Sequence, residues 1–436
     1  MTVSNNMRLY KTTKWQDPIA IANAASISED VLVFLYSGLE NDFTGSNSYL
    51  ALRPKEQISE SDFEKLDEKL KSNSAKFENA WFGYLGYGLK NCLEKLPEDT
   101  DSEFNFNELW FARFGLILHF DHELEQINIY ADSEDELKYI PEPIEVEDIK
   151  VNISDLSSNM TKKEYLRNVD IIKDAICRGD LYQANLTRKF SGKLEGEYSP
   201  FAIFSNLAKI SPAPYSSFIK IGDKTIISSS PERFLHIDEN GNVDTRPIKG
   251  SAARSQNIAE DEALKQSLAN SEKDRAENLM IVDLCRNDLA RSCYSGTVET
   301  KNLFEISSYA TVHHMASTVI GQKRDDRSTL DLIKGCFPPG SMTGAPKIKA
   351  MELCTQIEKV KRGIYSGAIG WFGGDGSSDL CVVIRTIITQ GNRFEFQVGG
   401  AIVYDSIAQL EFEETLTKAK AICMALGMDN KSLQNT

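Results

Sequence analysis

Lys249 lies in the run Thr245-Arg246-Pro247-Ile248-Lys249-Gly250-Ser251. A lysine amine becomes a nucleophile when burial or a neighbouring cation lowers its pKa. A proline two residues before and a glycine directly after suit a fixed turn aimed into a cleft; the plain alternative is a solvated surface lysine. Two further stretches carry acidic pairs three residues apart, Asp274 with Glu277 and Glu411 with Glu414. On a helix such residues share a face, so each helix can offer two carboxylates to one point. Four carboxylates meeting this way suit Mg²⁺, which takes one or two direct carboxylates, keeps waters and fills its shell with a substrate anion. A solvated acidic helix face gives the same spacing. The apolar run 279–282 favours burial of the first helix, and Lys418, four residues after Glu414, either makes a surface i,i+4 ion pair or faces a substrate.

Other residues gain meaning from their surroundings. Arg385 sits in the apolar stretch 382–388, where a charge needs an anionic partner, from the protein or from a ligand. Glu232 is either a general acid or base, or the partner of the adjacent Arg233. His313 and His314 are neighbours, so on a strand they point to opposite faces and one at most reaches a given site. Gly399-Gly400 lets backbone approach a ligand closely or forms a bulge. The run 338–346 leads into a helix starting near Ala345, a place for an anion or simply a cap. It lacks the ending and spacing of a Walker loop, and no GxGxxG follows a strand.

The elements that must position these residues are readable in outline. Residues 15–130 alternate short apolar runs with turn residues, a strand-rich module with a helix near 60–72. The acidic stretch 132–155, with Pro141 and Pro143, is the linker candidate. Beyond it, Thr161 and Glu164 form a capping box for a helix through Cys177. Strands are predicted at 184–190, 216–221, 225–229, 366–372, 379–389 and 393–403, and helices at 258–270, 275–291, 329–336, 345–361 and 407–426. The absence of strict βαβ alternation points to α+β with largely antiparallel sheets.

The bulk numbers narrow the function. Among 436 residues, 64 are acidic and 49 basic, and the net charge of −15 argues against a nucleic-acid partner held by a general field. Eight cysteines without a CxxC pair read as reduced thiols. The polar stretch 1–14 has no apolar core for a signal peptide, and no run approaches the length that spans a bilayer, so no membrane association and a cytoplasmic location are expected.

Taken together, the segments 179–188, 229–234, 247–250, 273–284, His314, 339–347, 362–367, 383–386 and 411–418 resemble the chorismate-utilising enzymes, in the branch of aminodeoxychorismate synthase component I. The resemblance spans about 160 to 425 in the family's order. It implies two facing, largely antiparallel sheets with helices packed outside, an N-terminal family-like region over 1–145 and a chorismate-binding catalytic region over 160–426. It implies Glu277 and Glu414 as direct Mg²⁺ ligands, with Asp274 and Glu411 acting through water. Tyr365, Arg385, the backbone at Gly399 and Gly400, and Lys418 would hold substrate carboxylates, with His314 and Ser341 beside the ring. Where relatives have Gly-Ala-Gly, this chain reads Gly399-Gly400-Ala401, which puts the last backbone contact in doubt. Ser37, with Pro214, Tyr215 and Ser216, matches the place where relatives hold tryptophan.

Two positions separate activities within that family. Water-using members carry a lysine base where Gln183 stands, and anthranilate synthases carry alanine in place of Lys249. The mechanism implied is addition of Lys249 to C2 of chorismate, with Glu232 protonating the departing C4 oxygen, followed by ammonia at C4. No cysteine sits in a glutaminase-type elbow, so ammonia would come from a glutamine amidotransferase partner, in p-aminobenzoate and folate synthesis. Anthranilate synthase component I is the alternative.

Overall fold

The computed structural model describes residues 7–39, 45–71, 74–98, 100, 102–147, 151–309, 312–429 and 432–433. The first six residues, residue 72 of the expected helix at 60–72, and 148–150 of the expected linker therefore lie outside the described residues.

The strand pairs described are all antiparallel, and they form two arms that meet at Leu109–Asp121. One face of that strand's pairing is Asn47–Glu60, which leads through Val31–Tyr36, Tyr215–Ile221, Lys224–Ser230, Thr386–Gln390 and Arg393–Ile402 to Gln183–Glu195. Its other edge takes Trp81–Leu85, which leads through Ala368–Phe372, Ser378–Val382, Arg233–Ile237 and Asn242–Arg246 to Val312–Gln322.

Three apolar clusters explain why the arms lie face to face. Val33, Ile219 and Ile226 of the first arm pack with Phe82, Ile369 and Trp371 of the second, so burial of both inner faces drives the sandwich. The outer face of the first arm is covered by helices including Lys162–Cys177, Pro200–Ile210 and Ala408–Ala425, and that of the second by Glu272–Ala290 and Thr329–Cys336. This is the α+β arrangement of facing antiparallel sheets with helices outside.

Local expectations fare unevenly. The Thr161/Glu164 capping box is present in both directions. The predicted strand 379–389 is two strands, Ser378–Val382 and Thr386–Gln390, broken where Arg385 adopts φ +51°. Arg385 is thus at a turn and not inside a strand. The helix expected over 345–361 runs only from Lys347 to Glu358, stopped by Lys359 in the left-handed region. Helices Pro18–Ser28 and Pro200–Ile210 had a readable signal, a capping Asp17 or Ser199 followed by proline.

Where the short strand Gly344–Ala345 stops pairing with Gln183–Glu195, a buried ion pair takes over. Glu358 accepts from the Thr187 N–H (2.9 Å), Arg362 donates to the Asn185 carbonyl (2.7 Å), and the two side chains bond each other at 2.6 Å.

Candidate active site

Lys249 is held by a break in the ladder. Ile248 pairs with Ala316 and Ser251 with His314, but the register shifts between them, freeing Lys249 and Gly250 to turn inward. Gly250 has φ +88°, and a Cβ there would come within 3.0 Å of Asp274, so glycine is required for this approach. The half-buried Lys249 donates from Nζ to the Ser341 carbonyl at 3.2 Å. Burial lowers its pKa, and the nearby Lys418 adds to that, while Glu277, Glu232 and Glu414 oppose.

Glu232 does not pair with Arg233, which is engaged by Asp244 and Asp379. Glu232 is 5% exposed, and hydrogen bonding from the Ser341 side chain and the Ile248 backbone favours its charged form. Burial raises its pKa to about 7 against those hydrogen bonds and the Lys249 charge. A carboxyl poised near neutrality beside a lysine can donate or accept a proton.

The two acidic pairs converge. Asp274 and Glu277 lie at the start of Glu272–Ala290, whose Ser271 cap accepts the Asp274 N–H. Glu411 and Glu414 lie at the start of Ala408–Ala425. Lys273 stands between the pairs, 3.8 Å from Glu277 and 3.8 Å from Glu411. A Cβ at Gly400 would meet Glu411 and Glu414 at 3.5 Å each. Burial raises the pKa of both Glu277 and Glu411, whereas at Glu414 Lys418 overcomes burial and holds the carboxyl low. Lys418 also donates to the Gly399 carbonyl at 2.8 Å. Among the described residues, no three acidic, histidine or cysteine side chains already stand as a closed ligand set. What the chain offers is four carboxylates on two helices with a protein ammonium where a cation is attracted, and that donor chemistry fits Mg²⁺.

His314 lies on Val312–Gln322, with Nδ1 2.7 Å from the Ser251 hydroxyl and its ring against Tyr309. Burial, then Arg385, lowers its pKa to about 3, and its buried Nε2 has no protein partner among the described residues. His313 points the other way, to Ser308 and Asp261. Arg385 is half-buried, and its described hydrogen bond is to the Ser211 hydroxyl at 3.3 Å. Tyr365 is buried, with Arg362 and Glu358 as its charged neighbours. Both amide atoms of the fully buried Gln183 lack a protein partner among the described residues. Lys273 and Ser251 had not stood out in the sequence; each adjoins a residue that had, and the i,i+4 spacing of Lys273 to Glu277 was the available signal.

A separate cavity of about 210 Å³ brings Ser37, Pro214, Tyr215 and Ser216 together with Tyr49 and Trp371. Ser37 donates to the Pro214 carbonyl at 2.9 Å.

This fold and site define a class: an antiparallel α+β sandwich that gathers lysines, paired carboxylates and a buried carboxyl in one place. A family model described as chorismate binding enzyme matches residues 29–424, and the chain belongs to that family. It is 44% identical over 262 residues to an aminodeoxychorismate synthase from Streptomyces griseus, a match covering 60% of this chain and 36% of that protein, so the chain spans about a third of that relative's length. It is 34% identical over 349 residues to aminodeoxychorismate synthase component 1 from Salmonella typhimurium, covering 79% of this chain and 76% of that one. The crystal structure of anthranilate synthase component I from Streptococcus pneumoniae superposes with a TM-score of 0.78 at 31% identity, covering 88% of this chain and 93% of that one.

Proposed function

We propose that this chain is the chorismate-aminating component of an aminodeoxychorismate synthase, a transferase that makes 4-amino-4-deoxychorismate for p-aminobenzoate and folate synthesis in the cytoplasm. The observation that carries the reading is Lys249, aimed by a ladder break at Ser341 and Glu232 with its pKa lowered by burial. The neutral Lys249 amine adds to C2 of chorismate, both ring double bonds shift, and the C4–O bond breaks as Glu232 gives its proton to the departing hydroxyl, releasing water. Ammonia then adds at C4, both double bonds return, and the C2–N bond to Lys249 breaks; the amine is released and the incoming nitrogen loses its extra proton to solvent. One hard displacement becomes two easier ones.

Arg385, Lys418, Tyr365 and the Gly399–Gly400 backbone hold the carboxylates, while the neutral His314 and Ser341 border the ring. Glu277 and Glu414 would hold Mg²⁺ directly, and Asp274 and Glu411 through water. When bound, the metal supplies charge neutralisation for the ring carboxylate. Ammonia comes from a glutamine amidotransferase partner, and the 210 Å³ cavity at Ser37 takes tryptophan.

Likeness to anthranilate synthase component I supports a second reading, in which the product is anthranilate. The test is incubation of the purified chain with chorismate, Mg²⁺ and an ammonium salt, followed by chromatography with mass detection. 4-Amino-4-deoxychorismate supports the proposal, anthranilate overturns it, and absence of product even with a glutaminase partner added argues against an enzyme.

A further inference from the structure

Glu232 has a second polar side. Behind it lies a small cavity of about 20 Å³ bordered by Glu232, Thr245, Cys285, Asp288, Cys336 and Ser341. A cavity needs roughly 10–15 Å³ by this measure to hold one water, and the water needs two or more polar partners. This one has room for a single molecule, with carboxylates on two sides and a serine hydroxyl on the rim. Asp288 is buried and bonded to Lys347 Nζ at 2.7 Å, and Lys347, whose side chain is 13% exposed, also donates to the Cys336 carbonyl. The other charged groups facing Glu232 are Lys249 and Lys418, both on the cleft side. With substrate bound on that side, the cavity would be the polar path left to Glu232.

Resting on the reading of Glu232 as the acid of the proposed reaction, we infer that one water fills this cavity and joins Glu232 to Asp288 and Lys347, which recharge it. After Glu232 has given its proton to the leaving oxygen, the Lys347 ammonium hands a proton to Asp288 and regains one from solvent. Asp288 passes that proton to the water, and the water passes one of its own to Glu232. Asp288 is then a positioning and supply residue that never touches substrate. Burial raises the Asp288 pKa despite Lys347, which keeps transient protonation within reach.

The test begins with a crystal structure of the unaltered chain, in which an ordered water should lie within hydrogen-bond distance of both carboxylates; a dry cavity overturns the inference. Asp288→Asn keeps shape and hydrogen bonding but cannot carry the proton. It should lower kcat about 10-fold, a part of the 10²–10⁴ that acid–base catalysis supplies, leave the KM for chorismate within about two-fold, and enlarge the solvent deuterium isotope effect on kcat. Glu232→Gln is the control. If Glu232→Gln is inactive while Asp288→Asn turns over normally, the relay is wrong and the acid assignment stands. If Glu232→Gln retains full activity, the acid assignment falls and the relay with it.

Discussion

Replacing Glu232 by glutamine should make the protein more stable and less active, and the stability gain should depend on pH. The Glu232 carboxyl is raised from 4.5 to about 7, chiefly by burial. Between those values the folded chain keeps a proton that the unfolded chain has released, so stability falls as pH rises through this window and is lower by the full amount above about 7. The rise from 4.5 to about 7, at about 1.36 kcal/mol per pH unit, corresponds to about 3 kcal/mol. Glutamine has the same size, can still bond Ser341 and carries no charge to bury, so the variant escapes this loss. With an unfolding entropy of about 2.1 cal/mol/K per residue over the chain, the midpoint should rise by about 3–4 °C at pH 8 and stay near the parent's at pH 4.5. Calorimetry at both pH values, paired with turnover of chorismate, reads the effect. A difference that does not change with pH would mean that Glu232 does not titrate in this window. A loss of stability at pH 8 would mean that Lys249 and Lys418 stabilise the carboxylate more than burial opposes it.

Arg385→Met should separate binding from folding. Losing charge-assisted hydrogen bonds worth about 1.5–3 kcal/mol should weaken chorismate affinity roughly 10- to 150-fold while the melting temperature holds or rises, since among the described residues the Arg385 side chain bonds the Ser211 hydroxyl and no carboxylate; unchanged affinity with a lower melting temperature would make Arg385 structural. Arg362→Met, by contrast, strands the buried Glu358 and should cost about 3–5 kcal/mol in denaturant unfolding, with the Glu358→Met double variant recovering part of it. The neighbouring glycines should differ. At Gly399 a Cβ would come within 2.5 Å of the Leu186 carbonyl, so Gly399→Ala should destabilise the fold, whereas at Gly400 the nearest atoms are carboxylate oxygens at 3.5 Å, so Gly400→Ala should fold normally and weaken Mg²⁺ binding by calorimetric titration.

Composition and periodicity made the antiparallel α+β class, the principal helices and the acidic pairs readable, because capping residues and i,i+3 spacing are local signals. Arg385 shows where that logic stops. Its apolar neighbours read as one strand, yet the chain breaks there so that the flanking strands can join different arms, a decision made by long-range pairing. Glu232 could not be told from a partner of Arg233 until Asp244 and Asp379 were found to occupy that arginine. Asp288 and Lys347 are 59 residues apart, and nothing local joins them. Nor does spacing reveal that Lys273 sits between carboxylates of two helices.

The pairing of Arg362 and Glu358 with the edge of Gln183–Glu195 has a consequence for how the chain reaches this state. Those side chains occupy the amide and carbonyl that a neighbouring strand would otherwise take, so they serve as a plug against edge-to-edge association. The plug arrives from residues more than 150 positions downstream. Until Lys347–Glu358 has docked, the strand that carries Gln183 presents an open edge, and any species populated before that moment is the one most exposed to aggregation.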